Sequence, residues 1–396
     1  MQIFVCNAGS TSLKLKLIEL PAAIIQATGR IERIGNHGKG IYTYEDRHGA
    51  RRHSEGLSVP TYTDGLRRFF LDLTAGNAPI LSDLDSIAAV AYKTVLAKGF
   101  LGIHELTETV LQGMRDYLDI APVHNSCYLE VISQLQALLP HCRHIGVFET
   151  AFHRTIPLFA RIYSLPYTWY EQYGIQRYGF HGASHSYIAK VMADLDPTAR
   201  RIVSCHLGGS SSICAIKDGI SIDTSFGFSL QSGIPHANRC GDIDPYIIPF
   251  LLQKGHSVDD LLTELSRSAG LLGLSGISND MRDIESQADN GDPRAKLAIA
   301  HYCHEITKFV GAFAAGMNGL DAIVFTAGIG EHDASIRRQV CKQLSFLGLS
   351  LDETANAIHA TRITTSDSTV RAYVIPANEE QGVAQQAYQY LLQNPT

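Results

Sequence analysis

Side chains able to handle a phosphoryl group gather in a few short runs of this chain. The run Arg177-Tyr178-Gly179-Phe180-His181-Gly182-Ala183-Ser184-His185 sets a histidine between two glycines, which gives its backbone room for close approach of a ligand. Taken alone, the run also reads as a tight turn with an incidental imidazole. His181 and His185 have the four-residue spacing of a zinc pair, but no Glu stands at the second position and no third ligand is obvious, so zinc is disfavoured. Arg239-Cys240-Gly241-Asp242-Ile243-Asp244-Pro245 puts a cation and two carboxylates beside a glycine, apt for gripping a carboxylate or phosphoryl group and equally readable as a solvated ionic turn. Glu379 and Glu380 follow Asn378 at a predicted helix start, where the helix dipole alone favours carboxylates. With the amide of Asn7 and the cations Lys14 and Lys93, these runs form the inventory of phosphoryl transfer, whose catalysis is largely charge neutralisation and alignment. No G-x-x-x-x-G-K-[ST] element is present, and Gly328-Ile329-Gly330 lacks the third glycine of a dinucleotide fingerprint, so neither a P-loop nor a Rossmann enzyme is expected.

The elements that must carry these residues show an internal similarity. Ile3 to Cys6 reads as a short apolar strand, Asn7 to Ser12 as a small polar loop, and the following residues as an alternating strand with Leu13, Leu15 and Leu17 on one face and Lys14 and Lys16 on the other. About 200 residues later the plan recurs: Ile202 to Cys205, a Leu207 to Ser211 loop, then Ser212 to Ile216, closing at the Asp218-Gly219 turn. Either copy alone reads equally as an ordinary hairpin, and the two together point to a duplicated lobe. Helical spacing is expected over Glu105 to Tyr117, from Asp292-Pro293 to Gly316, and from Ser335 to Leu344. Ala322 to Thr326 reads as a strand ending in a glycine turn at Ala327 to Gly330, an arrangement that brings backbone N–H groups to a phosphate or ribose. A last strand, Val370 to Ile375, precedes a helix from about Glu379 to Leu392.

At 396 residues, and roughly 150 per domain, two domains or one duplicated fold are expected, with a hinge near Thr150. Hydrophobic residues make up 45% and charged residues 18%, which excludes the disordered class. The net charge of −6, from 33 Lys plus Arg against 39 Asp plus Glu, argues against a nucleic-acid partner and for a small-molecule substrate. Eight cysteines without a C-x-x-C pair read as reduced thiols of a cytoplasmic protein. No stretch approaches the roughly 20 apolar residues of a membrane span, and no leader is expected.

In matching order along nearly the whole chain, the segments VCNAGSTSLK, APVHN, VFETAFH, QRYGFHGASH, SCHLGGSSS, DTSFGF, NRCGDIDP, GISNDMRDI, FTAGIGEH and VIPANEE resemble the acetate kinase family, within the superfamily of acetate and sugar kinases, heat-shock ATPases and actin. The resemblance implies an α/β, duplicated actin-like (ribonuclease H-like) fold of two lobes with mixed sheets closing on a nucleotide, with residues 1–149 plus 380–396 as one lobe and 150–379 as the nucleotide-binding lobe. It implies ATP or ADP as co-substrate, Mg²⁺ or Mn²⁺ as cofactor, a short carboxylate as acceptor, and a homodimer. Asn7 and Glu379 would hold the metal. Lys14 and the loop His206, Leu207, Gly208, Gly209 and Ser210 would face the phosphates. Asp280, Met281 and Arg282, with Gly328, Ile329, Gly330, Glu331 and His332, would hold the adenosine. Glu149, His181 and Arg239 would be catalytic, and Lys93, Val95, His124, Phe180 and Leu230 would contact the acid.

The chain departs from the family pattern at the reacting centre. Tyr92-Lys93-Thr94-Val95-Leu96-Ala97-Lys98 stands where the family has His-Arg-Val-Val-His-Gly-Gly, Glu149 stands for an aspartate, Gly209 for an asparagine and Leu230 for a proline. Lysine keeps the charge of arginine but not its planar two-pronged donor. Two alternatives to an ATP-dependent acetate kinase therefore stay open: a kinase of the same fold using another small acid or another phosphoryl donor such as pyrophosphate, and a catalytically weak nucleotide-binding paralogue.

Overall fold

The computed structural model describes residues 1–395 except 10, 36, 37, 77, 119 and 121, and of 122 and 123 only the backbone. The chain divides into two compact units, Met1–Ala151 with Asn378–Thr396, and Phe152–Ala377. The sequence reading set these junctions at 149/150 and 379/380.

The first unit is built on β1 (Gln2–Gly9), β2 (Ser12–Glu19), β3 (Ile24–Glu32), β4 (Gly40–Asp46), β5 (Arg51–Leu57), β6 (Ile87–Tyr92), β7 (Ile103–Glu105) and β8 (Arg143–Val147). They form one sheet in the order β5-β4-β3-β2-β1-β6-β8-β7. Alternation dictates β2: Leu13, Leu15 and Leu17 are buried while Lys14 is exposed. Ile3, Phe4, Val5 and Cys6 of β1 are all fully buried, as expected of a strand covered on both faces. The helix Tyr62–Thr74, capped by Thr61 and Asp64 in a capping box, sets Phe69 and Phe70 against Phe4, with ring centroids 5.8 and 5.1 Å apart. Helices Pro122–Leu138 and Glu379–Gln393 also pack on β1.

The second unit carries β9 (Arg201–His206), β10 (Ser212–Lys217), β11 (Ile220–Thr224), β12 (Ala322–Thr326) and β13 (Arg371–Val374) in the order β11-β10-β9-β12-β13. Asp218 and Gly219, both at positive φ, make the tight turn between β10 and β11. The helix Pro293–Gly316 starts where Asp292 accepts the Ala295 N–H at 2.7 Å, and Ile299, Cys303, Ile306, Val310 and Phe313 face the core that also holds Val203, Ile213 and Phe325.

The two sheets share a plan. In each, two antiparallel pairings (β1/β2 and β2/β3; β9/β10 and β10/β11) are followed by two parallel ones (β1/β6 and β6/β8; β9/β12 and β12/β13). This is the duplicated, mixed α/β architecture of the actin-like fold. Two sequence expectations are corrected. The helix expected from Glu105 to Tyr117 spans only Glu108–Arg115, because residues 103–105 pair with β8 and Thr107 begins the helix. The glycine turn at 327–330 is a short helix, Ala327–His332, closed onto the β9 loop by the Ile329 and Gly330 N–H groups donating to the Leu207 carbonyl at 2.9 and 3.1 Å.

Candidate active site

In an open α/β sheet, the carboxyl ends of parallel strands are where loops can present chemistry. In the first unit three such ends meet. Asn7 lies near the end of β1, Lys93 follows β6 and Glu149 follows β8, with the Lys93 N–H donating to Cys6 O at 3.3 Å and the Glu149 N–H to Thr94 O at 2.8 Å. Lys93 Nζ stands 3.1 Å from Glu379 Oε2 and 3.6 Å from Glu149 Oε1. Burial would lower the Lys93 pKa, but the Glu149 and Glu379 carboxylates outweigh it and hold the ammonium well above its ordinary value.

Asn7 is tied to Glu380, the residue after the Glu379 expected to share a metal with it. Its Nδ2 donates to Glu380 Oε1 at 3.0 Å, and its Oδ1 accepts from the Tyr128 hydroxyl at 3.3 Å. Glu380 also pairs with Lys16 at 3.2 Å, and Lys16 donates to Asn378 Oδ1 at 2.9 Å. Against burial, which raises it, Lys16 and the Asn7 amide pull the Glu380 carboxyl below its ordinary range. Lys14 sits opposite Asn7 in the β1/β2 register and is exposed. Three carboxylates (Glu149, Glu379, Glu380) thus answer two lysines (Lys16, Lys93). The uncompensated negative charge and the all-oxygen donor set, Asn7 included, suit a hard divalent cation that keeps most of its waters. Among the described residues no group of three or more His, Cys, Asp or Glu is placed to hold a metal ion, so a cation here would rest on fewer side chains and on water or phosphate oxygens.

In the second unit, His181 takes a left-handed conformation (φ 57°) at the start of the helix Gly182–Leu195, costly for a non-glycine residue and common where a side chain must be aimed. Its ring stacks on His206 with centroids 4.1 Å apart and meets Phe226 edge-on at 5.3 Å. Phe180, buried, packs edge-on against the same Phe226, and its carbonyl accepts from His153 Nε2 at 2.9 Å. Burial pushes His153 down to about 4, and burial with the nearby Arg239 charge pushes His236 down to about 3, so both rings are neutral. Arg239 donates through Nη1 to the Leu230 carbonyl at 2.6 Å, and burial brings it down to about 10, still protonated at neutral pH.

Beside this cluster lies a cavity of about 740 Å³, within the usual range for a small-molecule site. Gly208, Gly209, Asp280, Met281, Arg282, Gly328, Ile329 and His332 line it. Gly208 is tied back to Ser211, its N–H donating to Ser211 Oγ at 3.1 Å, while a side chain at Gly209 would meet nothing within 4 Å. Asp280 caps the helix Met281–Asp289 and pairs with Arg282, which brings its carboxyl down to about 2.

Several expected residues stand away from the cavity. Gly330 is buried under Phe325, Glu331 accepts the Ala377 N–H at 2.8 Å, and Leu207 is fully buried in the core. Val95 is buried beside Lys93 in the first unit, and His124 is exposed in the first turn of the helix Pro122–Leu138. Other residues go beyond the sequence reading. Tyr128 orients Asn7, Asn125 braces the loop after β6 by donating to Leu96 O at 3.0 Å and Met114 O at 2.8 Å, and Glu285 and Asp333 face each other on the cavity wall, where burial and Asp333 raise the Glu285 carboxyl. Asn125 closes the APVHN segment, and Glu285 and Asp333 directly follow GISNDMRDI and FTAGIGEH, which was a usable signal. Tyr128 carries no local mark of its position.

A duplicated actin-like fold with a glycine-lined cavity and a half-buried cluster of lysines and carboxylates fits the class of phosphotransferases. Comparison with known proteins makes this specific. Residues 2–385 match the Acetokinase family, and the chain belongs to it. The chain is 41% identical over 390 residues to the acetate kinase of Shouchella clausii, covering 97% of this chain and 98% of that one. Among solved structures it is similar to acetate kinase of Porphyromonas gingivalis (33% identity, TM-score 0.87, 98% and 99% of the two chains). It is equally similar to a propionate kinase of Francisella tularensis (33% identity, TM-score 0.87, 97% and 98%). ATP is the co-substrate of this family.

Proposed function

We propose that this chain transfers the γ-phosphoryl group of ATP to a short carboxylate, acetate or propionate, giving ADP and an acyl phosphate, and that it runs in reverse to make ATP. A carboxylate oxygen attacks the γ-phosphorus as the bond to the β,γ-bridging oxygen breaks, and the electron pair leaves with ADP. Lys93 and Arg239 offset the charge of the incoming acid, and His181 donates to the equatorial oxygens of the phosphoryl group. Glu149 holds the Lys93 ammonium in place, Val95, Phe180 and Leu230 contact the acyl chain, and His124 serves the same substrate. Asp280, Met281, Arg282, Gly328, Ile329 and His332 hold the nucleoside, with Gly330 and Glu331 as the frame of that helix. Lys14, His206, Gly208, Gly209 and Ser210 serve the phosphates, with Leu207 as the buried anchor of their loop. Asn7 and Glu379, with Glu380 behind Asn7, would hold Mg²⁺, which when bound neutralises phosphate charge.

What carries the reading is the meeting of Lys93 with Glu149 and Glu379 at the strand ends, at 3.6 and 3.1 Å, because a divalent cation taken up by the carboxylates would leave the ammonium to an anionic acceptor. The compact lysine in place of an arginine favours an acid other than acetate as the better acceptor. Two domains corresponding to the two compact units, a cytoplasmic setting and a homodimer complete the proposal. The dimer follows the family resemblance, and the cytoplasmic setting is supported by eight unpaired cysteines. No helix among the described residues is long and apolar enough to cross a membrane. The test is a panel of acetate, propionate and butyrate with ATP or pyrophosphate, scored by hydroxamate trapping of the acyl phosphate. Formation of hydroxamate with ATP is expected, and its absence for every acid would overturn the reading.

A further inference from the structure

The imidazole of His181 does not end in the site but begins a chain of buried hydrogen bonds. Its Nδ1 lies 2.9 Å from Ser212 Oγ, Ser212 Oγ lies 2.8 Å from His185 Nε2, and His185 Nδ1 lies 2.9 Å from Ser204 Oγ. Ser212, His185 and Ser204 are all fully buried, on β10, on the helix behind His181 and on β9. A hydroxyl carries one proton and each neutral ring one N–H, so such a chain runs in one of two directions.

The far end decides which. Among the described residues the only side-chain partner of Ser204 Oγ is His185 Nδ1, and a buried hydroxyl proton left undonated is costly. Ser204 therefore donates to His185 Nδ1. His185 then carries its proton on Nε2 and donates to Ser212, whose own proton passes to His181 Nδ1. Every donor and acceptor in the chain is used once. Run the other way, the chain strands the Ser204 proton in the core. Burial and the neighbouring His153 and His206 rings keep His185 well below its ordinary value, so His185 enters the relay as a neutral ring.

We infer that Ser204, His185 and Ser212 are positioning residues that fix His181 as the tautomer with its proton on Nε2, so that the ring meets the phosphoryl group as a donor. The use of that proton rests on the proposed phosphotransfer, but the tautomer does not. Two neighbouring histidines are held the same way. His236 Nδ1 accepts the Ser211 N–H at 2.9 Å, and its Nε2 faces Ser232 O at 3.2 Å. His153 Nε2 faces Phe180 O and its Nδ1 faces Ser221 Oγ, each at 2.9 Å.

Two-bond ¹H–¹⁵N correlation spectra of the intact chain with ¹⁵N-labelled histidine read the tautomer directly, with His181→Gln supplying the assignment. The expected spectrum has the proton on Nε2 of both His181 and His185. Ser212→Ala should release His181 into a tautomer mixture and lower kcat by roughly tenfold or more, with KM for ATP within about twofold. His185→Gln, whose amide N–H can replace the Nε2–H toward Ser212, should keep most of the activity that His185→Leu loses. A proton on Nδ1 of His181 in the unaltered protein, which requires no variant to fold, would overturn the inference, as would Ser212→Ala with the wild-type tautomer and kcat. A chain that phosphorylates no carboxylate yet shows the Nε2 proton would refute the functional reading and uphold the relay.

Discussion

Lys93 is a compact cation held by two carboxylates, and its replacement separates charge from shape. Removing it in Lys93→Ala leaves Glu149, which is 5% exposed, without its cation, which should cost about 3 kcal/mol of stability and lower kcat/KM by roughly 10²- to 10³-fold. Lys93→Arg keeps the charge and should lose less. Because Glu149 already reaches the lysine at 3.6 Å, a longer guanidinium fits only if Glu149 shortens, so Lys93→Arg with Glu149→Asp should raise acetate turnover above either single change. Acetate as the best acid for the wild type, with the double variant slower, would mean that the departures compensate one another within ordinary acetate chemistry.

Glu379 and Glu380 are adjacent in sequence but serve different partners, Lys93 for the first and Asn7 with Lys16 for the second. Glu379→Ala should raise the Mg²⁺ concentration needed for half-maximal rate while the unfolding midpoint changes little. Glu380→Gln should act on stability. Its carboxyl pKa is lowered in the folded state, so its contribution is present above the unfolded glutamate value and is lost as pH falls through the folded value. Urea midpoints at about pH 7 and about pH 4 should therefore converge in Glu380→Gln relative to wild type. Equal pH dependence in the two proteins would refute that assignment.

At the scale of elements, the short helix Ala327–His332 is held from beneath by one side chain. Arg337 is fully buried, donating to the Gly330 and Glu331 carbonyls at 2.9 Å each and to the Asn356 carbonyl at 2.9 Å. Arg337→Met should unseat the helix, destabilise the chain by about 3 kcal/mol or more and raise KM for ATP more than it lowers kcat. An unchanged KM would show that the helix holds its place without the arginine. The loop after β9 permits the opposite experiment. Gly209 has open space around it and no positive φ, so Gly209→Asn should be accommodated within about 0.5 kcal/mol and lower KM for ATP a few-fold through the added amide. A raised KM would assign Gly209 to backbone contact instead.

For the whole molecule, the proposed division of labour predicts where ligands protect the amides. Hydrogen exchange with ADP alone should protect residues 208–211, 280–285 and 328–335 of the second unit. Adding Mg²⁺ and the acid should extend protection to the ends of β1, β6 and β8 and to residues 378–381. Protection by ADP confined to the first unit would reverse the assignment.

Much of this molecule was legible in one dimension. The hairpins β1/β2 and β9/β10 were readable because alternation of Leu13, Leu15 and Leu17 with Lys14 and Lys16 is a property of neighbouring residues, and the Asp218-Gly219 turn and the Asp292-Pro293 helix start are equally local. The repetition of that plan, with the matching motifs, was enough for the fold and the family. What only the tertiary structure decided are the partners. Helical phase around the Asn378 cap turns Glu380 to Asn7 and Glu379 to Lys93, and no spacing in the sequence distinguishes the two. Residues 103–105 became a strand because β8 offered them an edge, which outweighed a helical pattern. The His181 relay joins side chains from two strands and a helix through single hydrogen bonds. Such bonds depend on ångström-scale placement of residues distant in the chain, and that information exists only after the chain has folded.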